Sequence, residues 1–355
     1  MAKVLMKGNE AIAEAAIRSG CLNYFAYPIT PQSEVAEYLV RRMPEVGGVF
    51  LQGESEVAVS YMIFGASAAG ARVFTTSSSP GISLMSEGIS YMAGAQCPAV
   101  FVNIMRGGPG LGGILPSQAD YFQATKSIGH GDFRMLVMAP ASVQEAVEMM
   151  MDAFPLAEKY RNPVMILGDG LIGQMMEPVE FPDKLKKAPL NNDAWATSGM
   201  DTRNTDQRNL VKSLFLEPEA LNNNNLTLKA KYEQMKQEEV RFENYNTDAA
   251  YKALIVSYGT MSRVCRTAID MMKAEGIEVG MVRPQTVFPF PEDRVREAAD
   301  VSHCKVVASI EMSMGQMVED IERCVQGKKP VHWFGKCGGD VPTPEEVVEF
   351  IHTLL

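Results

Sequence analysis

FRMLVMAPASVQEAVEMMMDAFPLAEKYRNPVMILGD, residues 133–169, is the stretch that decides the fold. Two short apolar runs, FRMLVMAP (133–140) and PVMILGD (163–169), flank SVQEAVEMMMDAFPLAEKY, whose apolar residues recur at three- and four-residue spacing. A run too short for a helix, an amphipathic helix and a second apolar run make a strand–helix–strand unit. Such a unit forces two parallel strands with the helix crossing over them.

The same alternation extends outward in both directions. Toward the N-terminus lie AVFVNIM (99–105) and ARVFTTSS (71–78), each followed by a glycine-rich loop. Before them, an aromatic strand and a two-proline turn (YFAYPITP) lead into a helix from about Gln32, and GNEAIAEAAIRS (8–19) reads as a further helix. Beyond Pro182 the composition turns polar and asparagine-rich, with one charged helical stretch, LTLKAKYEQMKQEEVRFENY. From Tyr251 the alternation resumes: KALIVSYGT, a helix at 261–275, IEVGMVRPQ, a helix at 291–300, CKVVASIEM, a helix at 315–325 and PVHWFGK. The expected fold class is therefore α/β, a doubly wound parallel sheet plus a smaller α/β domain. The expected division is residues 1–182, a connector with a surface helix over 183–248, and residues 249–355.

Composition narrows the function. The 355 residues carry 43 acidic and 33 basic side chains, a formal charge of -10, which speaks against nucleic acid as partner. Six cysteines stand without a C-x-x-C pair beside only four histidines, so no zinc-finger, thioredoxin-type or iron–sulfur ligand run is present. No metal site is expected on this chain. Scattered single cysteines and the lack of a secretory signal point to the cytoplasm. No run approaches the roughly 18–20 apolar residues of a membrane span. The 24 methionines read as adaptable core filling.

Two glycine signatures are decoys. Gly108-Pro109-Gly110-Leu111-Gly112-Gly113 satisfies G-x-G-x-x-G, but Pro116 delays the following helix to about Ser117, against a dinucleotide fingerprint. Gly168-Asp169-Gly170 with Asn191-Asn192 resembles a diphosphate–magnesium motif at too short a spacing, so Asp169 reads as a strand-end residue before a loop.

Three places look chemically chosen. Tyr27-Pro28-Ile29-Thr30-Pro31 follows a strand, where open α/β sheets bind ligands, and its prolines fix where Thr30 points. Glu56, in Glu54-Ser55-Glu56, opens an apolar helix, either as a partner of the helix dipole or as a carboxyl group sharing a proton with a cofactor nitrogen. Arg106 ends an apolar strand, and there it grips either an anionic substrate or an internal carboxylate.

YPITP (27–31), ESE (54–56), TTSSSPGISLM (75–85), Arg106-Gly-Gly-Pro and SQADYFQATK (117–126) together resemble the α subunit of 2-oxoacid:ferredoxin oxidoreductases. The 50-residue gap from Glu56 to Arg106 equals that expected in pyruvate:ferredoxin oxidoreductase, and SYGT…EMSMGQ resembles the C-terminal domain of transketolases. The resemblance implies a pyrimidine-binding domain for thiamine diphosphate. Glu56 would be catalytic, holding N1′ of the aminopyrimidine and favouring the imino tautomer that deprotonates thiazolium C2. Ile29, Thr30 and Ser79 would join Glu56 around the cofactor, and Thr30 and Arg106 would hold the substrate carboxylate. It also implies that thiamine diphosphate is shared with a β subunit carrying the diphosphate-binding domain. Mg2+ and iron–sulfur clusters would sit on partner subunits, among them a ferredoxin-like subunit and in some relatives a γ subunit.

GGPGLGGILPSQADY looks most like the branched-chain (2-oxoisovalerate) type, with apolar Leu111, Ile114 and Leu115 suiting an aliphatic tail. The expected reaction joins a 2-oxoacid and CoA into acyl-CoA and CO2 with electrons to ferredoxin. The alternatives are the 2-oxoglutarate type, a nucleotide-dependent dehydrogenase, and a non-catalytic assembly subunit.

Overall fold

The computed structural model describes residues 3–126, 128–182, 192–199 and 206–355. A seven-stranded sheet has the order β12-β6-β7-β5-β4-β2-β3. Its members are β2 (Asn23–Ala26), β3 (Val49–Gln52), β4 (Val73–Ser77), β5 (Ala99–Met105), β6 (Leu136–Met138), β7 (Pro163–Asp169) and β12 (Thr286–Phe288). The six strands from the N-terminal half run parallel. Strands β5 and β7 are buried along their whole length, which is why they read as unbroken apolar runs rather than as alternations.

The helices are α1 (Gly8–Arg18), α2 (Ser33–Glu45), α3 (Glu56–Ala68), α4 (Ser79–Gly94), the short α5 (Tyr121–Thr125), α6 (Val143–Tyr160) and α7 (Gly170–Gln174). From β2 the chain steps to β3 on one side and then returns to β4 on the other. That reversal makes β2/β4 the topological switch point, where a crevice opens at the strands' carboxyl ends. Helices α3 and α4 approach closely beside it: a Cβ at Gly88 would overlap the Ser60 hydroxyl. The small residues of this region allow that approach.

A second sheet, β14-β13-β10-β11-β9, comprises β9 (Phe242–Tyr245), β10 (Ala253–Val256), β11 (Val279–Pro284), β13 (Val306–Glu311) and β14 (Val331–Gly335). The helix α8 (Pro218–Glu238) packs on the first half, its Asn224 donating to Gly94 O at 3.2 Å and its Glu238 accepting from Tyr160 at 3.1 Å, while α9 (Met261–Ala274), α10 (Glu292–Asp300), α11 (Met317–Val325) and α12 (Pro344–Leu354) lie around the second sheet. A buried apolar cluster of its own fills the space between this sheet and α9 and α12. No helix among the described residues is long and apolar enough to cross a membrane.

Four features depart from the expectations. A strand, β1 (Val4–Lys7), precedes the first expected one and pairs antiparallel with β8 (Met176–Val179). The charged stretch ends in β9, antiparallel to β11. Strand β12 leaves the C-terminal half and pairs antiparallel with β6, completing the first sheet. Finally, no helix begins at Ser117. Residues 117–120 are a non-helical strap that turns at Ala119 and Asp120 ahead of α5, because their hydrogen bonds go to the other half of the chain: Gln118 donates from its backbone N–H to Met312 O at 2.8 Å and from Nε2 to Tyr258 O at 2.8 Å, while its Oε1 accepts from Met312 N at 3.0 Å.

Candidate active site

Glu56 occupies the first turn of α3, behind Ser55, whose hydroxyl accepts the Ala58 N–H at 3.2 Å and caps the helix. The glutamate is only 5% exposed. Its carboxylate turns away from its own helix toward α4, where a Cβ at Gly81 would lie 2.7 Å from Oε1 and would overlap the Ser77 hydroxyl. Glu56 therefore stands at a helix N-terminus, with its carboxylate packed against the first turn of α4. It makes no hydrogen bond or ion pair among the described residues. A carboxylate without a partner keeps its acceptor capacity for a bound group.

Arg106 continues β5, bridging to Pro116 across the loop between them. At 7% exposure it meets no carboxylate at ion-pair distance among the described residues. The guanidinium donates instead to two carbonyls, Nη1 to Thr30 O at 2.8 Å and Nη2 to Leu111 O at 3.2 Å, and buried Nε has no acceptor. The internal salt bridge is thus not formed. A buried cation with a free donor is the arrangement that favours a bound anion.

The turn opposite is held firmly. Asn9 donates to Pro31 O at 2.8 Å and to Glu34 at 2.8 Å, and Gln174 donates to Glu34 at 2.8 Å. Gln32, fully buried, accepts from the Thr76 hydroxyl, which also meets Tyr24 at 2.8 Å. These clamps leave Thr30 exposed, with no hydrogen bond to its hydroxyl among the described residues, and Ile29 half-buried beside it. Ser79, 9% exposed, is the first residue of α4; its hydroxyl donates to Asp120 at 2.5 Å and accepts the Arg106 N–H at 3.0 Å.

Ile29, Thr30, Ser79 and Arg106 therefore meet at the carboxyl ends of β2, β4 and β5. Glu56 lies against the same α4 turn as Ser79. The loop after Arg106 closes through Gly113 N to Gly107 O at 2.9 Å. Gly112, at φ +61°, has its Cα so near the Gly107 carbonyl that any Cβ would overlap it. Leu111 on this loop is 83% exposed, and Ile114 and Leu115 are exposed too, so the apolar side chains stand at the rim of the crevice rather than inside it.

Several participants escaped the sequence reading. Gly81 was quoted only within TTSSSPGISLM, and its role, making room for the Glu56 carboxylate, depends on contact between helices. Asn103 did leave a signal, as the one amide in the otherwise apolar strand AVFVNIM. It donates to Asp120 at 2.9 Å and accepts the Ser79 N–H at 3.1 Å.

Asp169 behaves as a strand-end residue. Its Oδ1 accepts the N–H groups of Leu171 at 2.9 Å and Ile172 at 3.1 Å, capping α7, and burial raises its pKa against these bonds and those to Thr260. Asn191 lies outside the described residues, and Asn192 donates to the Gly70 carbonyl. Among the described residues no group of three or more His, Cys, Asp or Glu side chains could hold a metal ion.

Fit to thiamine diphosphate can be tested on the crevice itself. The unpartnered Glu56 carboxylate, admitted against α4 by Gly81, and the buried hydroxyls of Ser77 and Ser78 that lack hydrogen-bond partners together suit a polar heteroaromatic ring. The residues present fit the group.

Residues 14–245 match the family model described as pyruvate flavodoxin/ferredoxin oxidoreductase, thiamine diP-bdg, and residues 251–347 match pyruvate:ferredoxin oxidoreductase core domain II. The chain is 48% identical to the ketoisovalerate oxidoreductase subunit VorB of Methanothermobacter thermautotrophicus, over 99% of this chain and 97% of that one. It is 34% identical to the 2-oxoglutarate synthase subunit KorA of the same organism, over 98% and 97%. Among solved structures, 2-oxoglutarate:ferredoxin oxidoreductase from Magnetococcus marinus, with 2-oxoglutarate, coenzyme A and succinyl-CoA bound, superposes at TM-score 0.83 with 26% identity. That superposition covers 99% of this chain but only 65% of the other. A split-gene transketolase, at 15% identity and TM-score 0.57, shares the fold.

Proposed function

Because the chain belongs to the 2-oxoacid:ferredoxin oxidoreductases, as an α subunit, we propose that Glu56, Thr30 and Arg106 carry its share of the oxidative decarboxylation of a branched-chain 2-oxoacid. The observation that carries this reading is the pair of opposite charges, buried and without ionic partners, at one switch-point crevice: the Glu56 carboxylate and the Arg106 guanidinium.

The division of labour follows from their chemistry. Glu56 would hold a proton at a ring nitrogen of thiamine diphosphate, with Ile29, Thr30 and Ser79 lining the ring. Thiamine diphosphate, when bound, supplies the acidic thiazolium carbon that serves as electron sink for decarboxylation. The free Nε of Arg106 and the exposed Thr30 hydroxyl would bind the substrate carboxylate, orienting the bond that breaks. Leu111, Ile114 and Leu115 would cover an aliphatic tail and exclude water. CoA then takes the acyl group and electrons pass to ferredoxin. Uncovered apolar side chains beside a single anion-binding arginine favour a monocarboxylate with an aliphatic tail over 2-oxoglutarate. The higher identity to the VorB subunits than to the KorA subunits points the same way.

The relatives are named as subunits, and this chain works with partner subunits. We assign the diphosphate grip and its Mg2+ to a β subunit and the iron–sulfur clusters to a ferredoxin-like subunit, with a γ subunit as a further member, all in the cytoplasm. The two family matches, which meet between residues 245 and 251, support a division of the chain near residue 248.

The test is turnover of the reconstituted complex. Glu56→Gln, similar in volume but unable to take up the proton, should lower kcat by about 10²–10⁴-fold while leaving assembly intact. Full activity in that variant would remove Glu56 from the reaction. A higher kcat/KM on 2-oxoglutarate than on 2-oxoisovalerate would overturn the substrate assignment.

A further inference from the structure

Asp120 plays no part in the chemistry above, yet the hydrogen bond that holds the Arg106 backbone N–H leads to it through Ser79. One of its carboxylate oxygens accepts both the Ser79 hydroxyl at 2.5 Å and the Asn103 amide at 2.9 Å. A serine hydroxyl has a single proton. With that proton committed to the carboxylate, the Ser79 oxygen faces the Arg106 backbone as an acceptor, and it takes the Arg106 N–H at 3.0 Å. Asn103 completes the ring by accepting the Ser79 N–H at 3.1 Å. The ring joins the ends of β4 and β5 to the strap, and sets the point from which the Arg106 side chain projects. Asp120 also feels the Arg106 charge: burial raises the Asp120 pKa, while Ser79, Asn103 and the Arg106 charge oppose that rise.

The strap is in turn fixed from the C-terminal half. Gln118 inserts where the second sheet reverses direction, between Tyr258 after β10 and Met312 after β13. One residue past Asp120, Tyr121 donates to Asp320 at 2.6 Å and Phe122 N donates to Gln316 at 2.8 Å. The crevice that a doubly wound sheet offers to a ligand is here filled by a side chain of the other half. Asp120 thus lies between contacts that tie it to the C-terminal half and a ring that ends on Arg106.

We propose that Asp120 is the positioning residue through which the C-terminal half holds Arg106 in the geometry that receives the substrate carboxylate. The inference rests on the reading of Arg106 as the carboxylate-binding residue. Asp120→Asn keeps the shape but removes the charge, so the one oxygen that accepts from both Ser79 and Asn103 becomes a weaker, neutral acceptor. The hydroxyl is then free to turn toward the Arg106 carbonyl, 3.3 Å away, and the hold on the backbone N–H weakens.

The complete complex, reconstituted with its partner subunits at saturating thiamine diphosphate, is assayed on 2-oxoisovalerate. Asp120→Asn should raise KM about tenfold, equivalent to about 1.4 kcal/mol, with kcat within about threefold of wild type. In the Arg106→Lys background the same substitution should raise KM by less than about twofold, because the two residues act on one contact. A residue that only stabilised the strap would lower Tm and the yield of active complex without moving KM. An unchanged KM in Asp120→Asn therefore overturns the proposal, whether or not Tm falls. If that variant does not assemble, Ser79→Ala breaks the ring at the hydroxyl and must show the same rise in KM, and an unchanged KM there refutes the proposal equally. A wild-type complex inactive on every 2-oxoacid would instead overturn the functional reading, and this inference with it.

Discussion

Gly81→Ala is the substitution whose consequence the structure fixes most tightly. The added methyl would overlap the Ser77 hydroxyl and stand 2.7 Å from the Glu56 carboxylate oxygen and 3.1 Å from its Cγ. Ordinary contact begins near 3.4 Å, so the oxygen must retreat to about that distance. A displacement of this size is enough to misplace a reacting group, and misplacement by about 1 Å can cost about 10² in rate. Stability should change far less. Overpacking costs about 1–3 kcal/mol, offset by up to about 1 kcal/mol because alanine is the better helix former.

The expected result is therefore a folded, assembled complex with kcat/KM lowered by about 10²-fold. Turnover of 2-oxoisovalerate and a thermal melt on one preparation read both quantities. The double variant Ser77→Ala/Gly81→Ala, which relieves the hydroxyl overlap, should regain stability but not rate. Retention of wild-type kcat/KM in Gly81→Ala would refute the placement of Glu56, and recovery of rate in the double variant would shift the role to Ser77.

Two further outcomes concern stability. Glu311 is fully buried and accepts the hydroxyls of Ser309 at 2.8 Å and Ser313 at 2.7 Å and the N–H groups of Gln316, Met317 and Val318 at 3.0–3.2 Å. Glu311→Ala leaves those donors unsatisfied, so Tm should fall by roughly 5–15 °C, and a fall under about 2 °C would contradict this account. Acid should loosen the contact between the two halves. Burial alone would raise the Glu145 and Asp320 pKa values, but the hydrogen-bonded Arg283 holds Glu145 below its ordinary 4.5, and Lys126 with Tyr121 holds Asp320 below its ordinary 3.8. Carboxyls lowered on folding add stability above their unfolded pKa and lose it as pH falls through the folded one. Tm should thus hold down to about pH 4.5 and decline below it, with a shallower decline in Glu145→Gln; identical profiles would remove Glu145 as a cause.

The strands that carry the site were legible because burial on both faces leaves an unmistakable apolar run, as in AVFVNIM and PVMILGD. That Thr30, Ser79 and Arg106 come together at strand ends was legible from that placement together with the family resemblance. What the sequence hid is what depends on distant partners. Ser117–Asp120 reads as the start of a helix until Met312 and Tyr258 are present to take its hydrogen bonds. RFENY carries charges suited to a helix, but Arg283 on β11 pairs with Glu243 at 2.8 Å and draws the segment into a sheet. Three residues, Thr286–Phe288, are too few to show any period. Gly81 and Asp120 act across elements separated in sequence, so no local pattern marks them.

Strand β12 has a consequence for the order in which the chain can be made. The β6 edge it covers lies about 150 residues upstream, and at roughly 5–20 residues per second the ribosome needs about 7–30 s to supply the partner. Throughout that interval the nascent N-terminal half presents an open, apolar edge, the kind that joins to other chains. Completion of the first sheet is thus a late event in biosynthesis. A chain truncated before residue 286 would retain Glu56 and Arg106 and yet expose a sticky edge, so its failure in the cell would be aggregation rather than loss of the proposed site residues.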